Sequence, residues 1–385
     1  MGVAVGVRVA IDYTSAVHQR AGVGRYTRSL AEHLTPLLQP EDELLLWYAS
    51  RSKDTISLPR PMHSGKVETK RIPISPRWAA IGWQRLKLPI SIDRCVGAVD
   101  LHHEPDFVAP PSKRPVLTTI HDLSYLIVPE FAHPDLRRYL ERSVPRTLER
   151  AHGVIAVSET TRRDVIERYD IDADRVTTIY NGVDSWFRAP DESAVERALE
   201  HFGLRSPFFI MVGTVEPRKN HLTALRAFAS LYERRRDISL AIVGNPGWLS
   251  EPIVEEIEKA SKSMAVRYLR FVDDTWIPAL YAGSVGLLAP SWYEGFGLPV
   301  LEAMACGAAV ITSDRGALPE VSGDAALIVA PGNVDELSEA MTRLLDDSQL
   351  RHELSSKGVA RAASFTWEEA ANKHLDLYRS AVASR

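Results

Sequence analysis

One segment identifies the architecture of this chain: Glu294-Gly-Phe-Gly-Leu-Pro-Val-Leu-Glu302. An apolar, strand-like run precedes it, and a helical pattern follows, with Pro299 suited to the first turn and Gly307 to the C-cap. A strand, a glycine-rich turn and a helix in this order present backbone N–H groups and the positive end of a helix dipole to an anionic ligand. Glu302 lies about one turn into the helix, so it can face the same ligand as Glu294.

The alternation of strand and helix extends over the whole chain. Apolar runs predict strands at 7–11, 44–48, 98–102, 115–120, 154–157, 176–180, 208–212, 239–243, 266–271, 285–289, 309–312 and 326–329. Helical patterns fall between them, as at 219–235 and 334–345, and Ser158 is a good N-cap for the helix after it. This pattern predicts parallel, doubly wound sheets. Two such series, joined by the polar stretch 186–205, predict two Rossmann-like domains with a ligand cleft between them.

Composition excludes several classes of protein. The 385 residues suit two domains, and 45% hydrophobic with 25% charged residues is typical of soluble globular proteins. The net charge of −4 gives no reason to expect a nucleic-acid binder. The two cysteines, Cys95 and Cys306, form neither a metal-binding spacing nor a disulfide framework. The chain shows no signal peptide pattern and no membrane-length apolar run, so we expect a cytoplasmic protein.

Two adjacent cations follow the first predicted strand of the second half, in Gly213-Thr-Val-Glu-Pro-Arg218-Lys219-Asn220. Positive charges at the start of a helix oppose its dipole, and an anion bound there would offset that cost. Arginine offers forked donors to phosphate oxygens and lysine a point charge. A solvated surface pair explains the two cations about equally well.

Other residues at predicted strand ends are candidates for ligand binding, although a simpler structural role would also explain each of them. Glu294 and Glu302 can accept hydrogen bonds from the vicinal hydroxyls of a ribose or hexose, or act as acid and base, or be merely solvated. His121 ends a strand, where a ligand contact is at least as plausible as a structural role. The glycines Gly22 and Gly24 more often form a tight strand-to-helix turn than a phosphate site.

A basic and aromatic segment, residues 66–94, suggests contact with an anionic lipid surface. An ordinary amphipathic segment packed on its domain is a slightly better explanation of the same pattern. Its cations are Lys66, Lys70, Arg71, Arg77, Arg85, Lys87 and Arg94, set against Glu68 and Asp93, and its interleaved apolar residues are Trp78, Ile81, Trp83 and Leu86.

Taken in order, these motifs resemble the GT-B glycosyltransferases of the large retaining family 4, and the resemblance spans nearly the whole chain. The segment from Glu294 to Glu302 is similar to that family's E-x7-E element. The other motifs in the ordered set are Gly22-Val-Gly24-Arg25-Tyr26, Thr119-Ile-His121-Asp122, Ala156-Val-Ser158-Glu, Tyr180-Asn-Gly-Val-Asp184 and the basic loop 213–220.

The resemblance implies a GT-B fold of two Rossmann-like domains facing across a cleft. The acceptor domain would span residues 1–188 and the donor domain residues 189–366, and a final helix, 367–385, would pack back on the first domain. The implied reaction moves a sugar from a nucleotide diphosphate sugar to an acceptor hydroxyl with retention of the anomeric configuration. No carboxylate is placed as a nucleophile, so the leaving phosphate would assist deprotonation in a front-face displacement. No metal and no cofactor would be needed.

The resemblance also assigns roles to individual residues. Arg218 and Lys219 would neutralise the leaving diphosphate, Glu294 would hold donor-sugar hydroxyls, Glu302 the ribose, and His121 the donor sugar near its reacting face. Backbone at several further positions would bind the donor: Gly22, Gly24, Gly213, Val272, Gly295, Phe296, Gly297 and Leu298.

Within that family the chain is most similar to bacterial mannosyltransferases of O-antigen or other surface polysaccharide synthesis. We therefore expect GDP-mannose as donor and a glycan or lipid-linked oligosaccharide as acceptor, with a rhamnosyl or glucosyl donor as the alternative. A sugar-nucleotide epimerase of the same fold would act without an acceptor. A phosphorylase would need a lysine in a pyridoxal-binding context, and a non-catalytic binding protein would not need all of these residues.

Overall fold

The computed structural model describes residues 6–20, 22–52, 65–86, 88 and 90–384, which form two compact units. The first unit comprises residues 1–123, 138–182 and 366–385, and the second residues 124–137 and 183–365. The boundary after residue 182 lies six residues before the predicted one after residue 188, and the segment 124–137 belongs to the second unit rather than the first.

The first unit is built on a wholly parallel sheet in the order β3-β2-β1-β4-β5-β6-β7. The strands are β1 (Arg8–Asp12), β2 (Glu43–Ala49), β3 (Lys66–Ile72), β4 (Leu101–Glu104), β5 (Val116–Ile120), β6 (Gly153–Ala156) and β7 (Val176–Thr178). The helices that belong to it wholly or in part are α1 (Thr14–His18), α2 (Val23–Leu34), α3 (Pro76–Ala80), α4 (Asp93–Val96), α6 (Pro134–Arg150), α7 (Glu159–Tyr169) and α16 (Trp367–Ala383).

The second unit repeats this plan with the strand order β10-β9-β8-β11-β12-β13, again parallel throughout. Its strands are β8 (Phe208–Val212), β9 (Ser239–Val243), β10 (Val266–Leu269), β11 (Gly286–Ala289), β12 (Val310–Ser313) and β13 (Leu327–Val329). Its helices are α5 (Ser124–Ile127), α8 (Glu192–Phe202), α9 (His221–Arg234), α10 (Glu251–Ser263), α11 (Ile277–Gly283), α12 (Leu298–Ala305), α13 (Leu318–Ser322), α14 (Val334–Asp346) and α15 (Ser348–Ala362).

Burial explains why the apolar runs form strands. Every residue of β5 is buried, and β8 is buried at all positions but its last, as expected for parallel strands covered by helices on both faces. The hydrophobic core of the second unit contains Phe209, Phe228, Leu240 and Met341, which come from strands and from the helices packed on them. The prediction of two doubly wound α/β domains is confirmed.

The structure differs from the predicted elements in three places. The strand expected at 98–102 runs instead from Leu101 to Glu104, because Gly97 has a φ of 96° and the chain turns there before it joins the sheet. The strand β3 was not predicted, since its polar sequence suits an exposed edge strand rather than a buried one. The supposed polar connection at 186–205 contains the helix α8.

The helix cap predicted at Ser158 is confirmed, whereas the C-cap predicted at Gly307 lies one residue earlier. The Ser158 side chain accepts a hydrogen bond from the Thr161 amide at 3.0 Å and begins α7. Pro299 lies in the first turn of α12, and Gly307, with a φ of 77°, follows the C-cap Cys306.

The final helix packs on the first unit, to which it belongs. On α16, His374 Nε2 lies 2.9 Å from the Tyr26 hydroxyl, and the Tyr378 hydroxyl lies 2.7 Å from His103 Nδ1. These buried bonds tie α16 to α2 and β4.

Candidate active site

The second sheet reverses its strand order between β8 and β11, which are hydrogen-bonded neighbours. In open parallel sheets such a switch point leaves a crevice outside the carboxyl ends of the two strands. The loop after β8 carries Arg218 and Lys219 in a 3-10 turn, Pro217–Lys219, and the loop after β11 carries Glu294. The fold therefore brings the two predicted motifs together at one crevice.

Both predicted cations bind the same carboxylate. Arg218 Nη1 donates to Glu294 Oε2 at 2.7 Å, and Lys219 Nζ donates to Glu294 Oε1 at 2.6 Å. The other arm of the guanidinium, Nη2, donates to Glu216 Oε1 at 2.7 Å. The anion that offsets the two cations in this structure is therefore a side chain of the protein, a partner that the sequence did not reveal.

Burial and charge act in opposite directions on the Glu294 carboxyl. It is 8% exposed, and this burial alone would raise its pKa, but Arg218 and Lys219 outweigh that effect and lower the pKa to about 2. Burial raises the pKa of Glu216, and the two cations only partly oppose the rise. Glu294 is consequently a fixed carboxylate at neutral pH.

Further hydrogen bonds join or brace the two loops. The Trp292 amide donates to the Arg218 carbonyl at 2.9 Å, and Asn220 Nδ2 donates to the Pro290 carbonyl at 2.9 Å. The Ser291 hydroxyl donates to Glu294 Oε1 at 2.9 Å. Such bonds hold charged groups in position before a ligand arrives, which favours electrostatic catalysis.

Glycines at the crevice permit close backbone packing. Gly297 has a φ of 99° and is the N-cap of α12, and an added Cβ would lie 2.7 Å from Leu318 Cδ2. Gly213 has a φ of 135°, which also favours glycine. A Cβ on Gly316 would lie 2.2 Å from the Glu294 carbonyl oxygen, so this third glycine shapes the site as well.

The remaining predicted donor-binding residues of the second unit occupy several environments. Glu302 is 5% exposed and its Oε2 accepts from the Tyr281 hydroxyl at 3.3 Å. The Phe296 ring packs edge-on against Phe365, with ring centroids 5.9 Å apart. Val272 is buried just beyond β10, Gly295 lies in the turn before α12, and Leu298 begins that helix.

His121 follows β5 in the first unit. Its Nε2 lies 2.7 Å from the Pro105 carbonyl oxygen, which can only accept, so Nε2 carries the proton. Burial lowers the pKa of His121, and the neutral ring then has Nδ1 as its acceptor. The Tyr26 ring packs edge-on against this imidazole, with centroids 4.8 Å apart.

The two positions after β1 that carry glycine require it for different structural reasons. Gly22 has a φ of 59° and is the N-cap of α2. A Cβ on Gly24 would lie 2.1 Å from the Gln19 carbonyl oxygen and 2.6 Å from that of Ser15. Contact between α2 and the backbone of the preceding helix therefore already explains the glycine at 24, without a phosphate.

The basic and aromatic segment divides into two parts. In its first part, β3, Lys66 Nζ pairs with Glu68 at 2.7 Å and Lys70 Nζ donates to the Val96 carbonyl at 3.2 Å, so these cations serve the protein itself. The second part presents large apolar side chains that are 40–61% exposed, while Lys87 lies outside the described residues. The exposed apolar residues are Trp78, Leu86, Leu88 and Ile90.

Sequence reasoning missed the supporting residues of the site. Glu216 lies in the basic loop and Ser291 three residues before Glu294, but nothing in a single sequence distinguishes a buried acid or hydroxyl from a solvated one. Within the described residues, no group of three or more histidine, cysteine, aspartate or glutamate side chains is arranged to hold a metal ion. No described helix has both the length and the apolar content that crossing a bilayer requires.

Two family profiles match the chain. Residues 20–187 match Glycosyltransferase Family 4, and residues 195–361 match Glycosyl transferases group 1. The O-antigen chain mannosyltransferase B of Escherichia coli is 34% identical over 281 residues, which are 72% of this chain and 74% of that protein. The serotype-specific mannosyltransferase WbdA of Escherichia coli is 32% identical over 272 residues, 69% of this chain but only 33% of that longer protein.

Solved structures share the fold. Sucrose-phosphate synthase from Thermosynechococcus elongatus superposes with a TM-score of 0.76 at 21% identity, covering 98% of this chain and 100% of that one. WaaG, a glycosyltransferase involved in lipopolysaccharide biosynthesis, superposes with a TM-score of 0.71 at 17% identity, covering 97% of this chain and 99% of that one.

Proposed function

The chain belongs to the group 1, family 4 glycosyltransferases, and from this premise we propose that it is a retaining mannosyltransferase that uses GDP-mannose. The acceptor is a hydroxyl of a glycan or lipid-linked oligosaccharide in surface polysaccharide synthesis. The observation that supports this best is the pair of cations held by Glu294 at the crevice between β8 and β11.

The costly event in this reaction is the growth of negative charge on the diphosphate as its bond to the sugar breaks. Lys219 carries three N–H donors, of which one binds Glu294, so two remain for phosphate oxygens. Arg218 sits beside it, fixed through Glu216 and the Tyr293 carbonyl. Preorganised donors of this kind need no rearrangement as the charge develops, and each is worth several kcal/mol of barrier.

The bond changes balance without a protein nucleophile. The acceptor oxygen forms its bond to the anomeric carbon on the face from which the diphosphate leaves. The acceptor's proton passes to an oxygen of the departing phosphate, whose remaining charge Arg218 and Lys219 neutralise. The anomeric configuration is then retained, and no metal or cofactor takes part.

Glu294 serves this scheme in two ways. Its oxygens orient the two cations and accept from Ser291, and because an ionised carboxylate has about four acceptor positions, one position remains for a hydroxyl of the donor sugar. We assign the ribose to Glu302, the base to backbone near Val272, and the diphosphate to the amides from Gly295 to Leu298 and to the loop at Gly213. In the first unit, His121 Nδ1 accepts from a hydroxyl of the donor sugar, and the backbone at Gly22 and Gly24 lies near the donor.

The choice of mannose comes from the relatives, several of which are named mannosyltransferases. A rhamnosyl- or glucosyltransferase of the same fold would use the same two cations, Arg218 and Lys219, because these are assigned to the diphosphate rather than to the sugar. An epimerase is less well supported, since both Escherichia coli relatives are named as transferases.

A donor panel with a stereochemical readout tests the proposal. Purified protein is incubated with GDP-mannose, a nucleotide-linked rhamnose and UDP-glucose, each with and without alkyl glycoside acceptors, and products are identified by NMR. We expect an α-linked mannoside from the α-linked donor, formed only with acceptor present. A β-linked product would refute retention, another sugar would refute the donor, and acceptor-independent turnover would favour the epimerase.

We also propose that the second part of the basic and aromatic segment rests on an anionic membrane surface. Four exposed apolar side chains, Trp78, Leu86, Leu88 and Ile90, lie close in sequence to Arg77 and Arg85. Apolar side chains inserted at the headgroup boundary and cations attracted to anionic lipid act together in such contacts. This placement would suit a lipid-linked acceptor.

A further inference from the structure

The first unit has a switch point of its own, between β1 and β4, which are hydrogen-bonded neighbours at the centre of its sheet. The register pairs Ala10 with His102 and Ile11 with His103. The next residues along the two strands are Asp12 and Glu104, the last residue of each. Because side chains alternate between faces and neighbouring strands lie about 4.8 Å apart, these carboxyls share one face at the carboxyl edge.

Glu104 is a buried acid that nothing in the described structure satisfies. It is 1% exposed, and neither of its carboxylate oxygens has a hydrogen-bond partner. Burial raises its pKa well above the ordinary value, and the charge of Asp12 raises it further. A buried polar group without a partner destabilises the fold, so its presence at the switch point indicates a role other than folding.

Asp12 is the second acid at this switch point. It is partly exposed and accepts from the Thr14 amide at 2.8 Å. Burial raises its pKa to about 7, and Asp106 adds to the rise while His18 opposes it. Asp106 itself accepts from the Ser15 hydroxyl at 2.7 Å. The three acids line the edge where a ligand would approach the sheet.

The chemistry of these acids selects a neutral, hydroxyl-rich ligand. Two neighbouring carboxyls cannot both ionise easily, so one stays protonated and donates while the other accepts. Vicinal sugar hydroxyls match this combination, because each hydroxyl both donates and accepts. A phosphate or carboxylate on the ligand would be repelled.

We propose that Asp12 and Glu104 form an acceptor subsite that binds the sugar hydroxyls beside the one that is glycosylated. The subsite rests on the proposed function, since it gives the acceptor sugar a place in the first unit. It also narrows the substrate: the accepting sugar is neutral near its reacting hydroxyl.

The test measures acceptor and donor kinetics of Asp12→Asn and Glu104→Gln, with octyl α-D-mannopyranoside as the acceptor. We expect the KM for this acceptor to rise on the order of tenfold in each variant, the value of one hydrogen bond to a strongly polar group. Nucleotide binding, measured by calorimetry, should not change. Unchanged acceptor kinetics in both variants would refute the subsite.

Stability gives an independent readout, with Asp42→Asn as the matched control. Asp42 is also buried, at 1% exposure, but lies before β2 at the opposite edge and accepts from the Val7 and Gln39 amides and from Arg379. Glu104→Leu should raise the melting temperature and weaken acceptor use, whereas Asp42→Asn should lower the melting temperature and leave acceptor KM unchanged. A destabilised Glu104→Leu with normal acceptor KM would make Glu104 a structural residue.

The last part of the test compares a neutral acceptor with a charged one. Wild-type protein should use the neutral mannoside better than its 6-phosphate, and Asp12→Asn should narrow that preference. A preference for the phosphorylated acceptor would overturn the inference while leaving the proposed function intact. A wild-type protein that binds nucleotide sugars but glycosylates no acceptor would refute the proposed function, and this inference with it.

Discussion

Arg218 and Lys219 each hold one oxygen of a carboxylate that is almost fully buried. At the scale of single residues, this geometry separates two consequences of removing a cation. In the proposed mechanism the diphosphate loses a donor in the transition state, and in the resting protein Glu294 loses a partner. Breaking a buried ion pair by removing one partner typically costs about 3–5 kcal/mol of stability, so kinetics and unfolding must be measured on the same variants.

We predict that Arg218→Ala and Lys219→Ala each lower kcat by ~10²-fold or more, because each removes a contact to the developing charge. The control is Arg235→Ala in the same unit, whose guanidinium forms only surface pairs, at 3.1 Å to Asp237 and 2.9 Å to Asp346. It should change neither kcat nor stability by much. Near wild-type turnover in both cationic variants that remain folded would remove them from the mechanism.

Substitutions of the two glutamates should have different effects on ligand binding measured by calorimetry. We predict that Glu302→Ala weakens binding of the free nucleotide, since this residue is assigned to the ribose. Glu294→Ala should impair use of the nucleotide sugar but bind free GDP no more weakly, because its removal frees two cations for the diphosphate. The exposed Glu258→Ala, which removes only a surface pair with Arg270, serves as control. Equal losses of GDP affinity in both variants would reject this division.

Asp12 predicts a pH dependence of stability with a definite sign. Its pKa is about 7 in the folded protein against 3.8 for the ordinary group, so the folded state retains a proton that the unfolded chain releases. The stabilisation that this retained proton gives the folded state is complete below about pH 4 and is lost as the pH rises to 7. The side chain of Asp12→Asn cannot titrate. We therefore expect the free energy of unfolding of this variant to increase, relative to that of wild type, by on the order of a few kcal/mol between pH 4 and pH 7. Denaturant unfolding at pH 4 and pH 7 measures it, and a constant difference would contradict it.

At the scale of elements, the short segment after β3 combines exposed apolar side chains with arginines that are close in sequence. We predict that replacing both Trp78 and Leu86 by serine abolishes sedimentation with vesicles of anionic lipid while leaving the melting temperature unchanged, because both side chains are more than half exposed. Wild-type binding should weaken as salt rises, since charge attraction is screened over about 8–10 Å.

The control for that experiment is Val359→Ser, which replaces an apolar side chain that is 45% exposed on α15 of the second unit. It should sediment like wild type. Equal binding of wild type to neutral and anionic vesicles would show that the arginines contribute nothing, and the segment would then be an ordinary amphipathic part of its domain.

At the scale of the whole molecule, both units place charged residues at the same topological position. In the second unit, cations and Glu294 follow the strands on either side of the switch, and in the first unit two acids end the corresponding strands. We predict that activity survives excess EDTA, because Arg218 and Lys219 can do the charge neutralisation that a divalent ion does elsewhere. Loss of turnover with EDTA that Mg²⁺ or Mn²⁺ restores would refute this, and a melting curve with EDTA controls for unfolding.

Local signals in the sequence determined most of the strands, several helix ends and the family of this protein. Apolar runs with turn residues between them predicted twelve of the strands, β8 and β9 with the same limits as in the structure, because a parallel strand buried on both faces must be apolar along its length. Ser158, Pro299 and Gly307 marked helix ends for reasons of backbone hydrogen bonding and φ that apply within a few residues. The ordered motifs predicted the family, which the relatives confirm.

Only the tertiary structure decided which charges meet. Arg218 and Glu294 are far apart in sequence, and the adjacency of β8 and β11 makes them hydrogen-bond partners, so the loop that carries two cations is paired with a carboxylate from another loop. The same holds for Asp12 and Glu104, which no motif distinguished and which the pairing of β1 with β4 places side by side. Strand order depends on long-range packing of the whole sheet, and a single sequence does not specify it residue by residue.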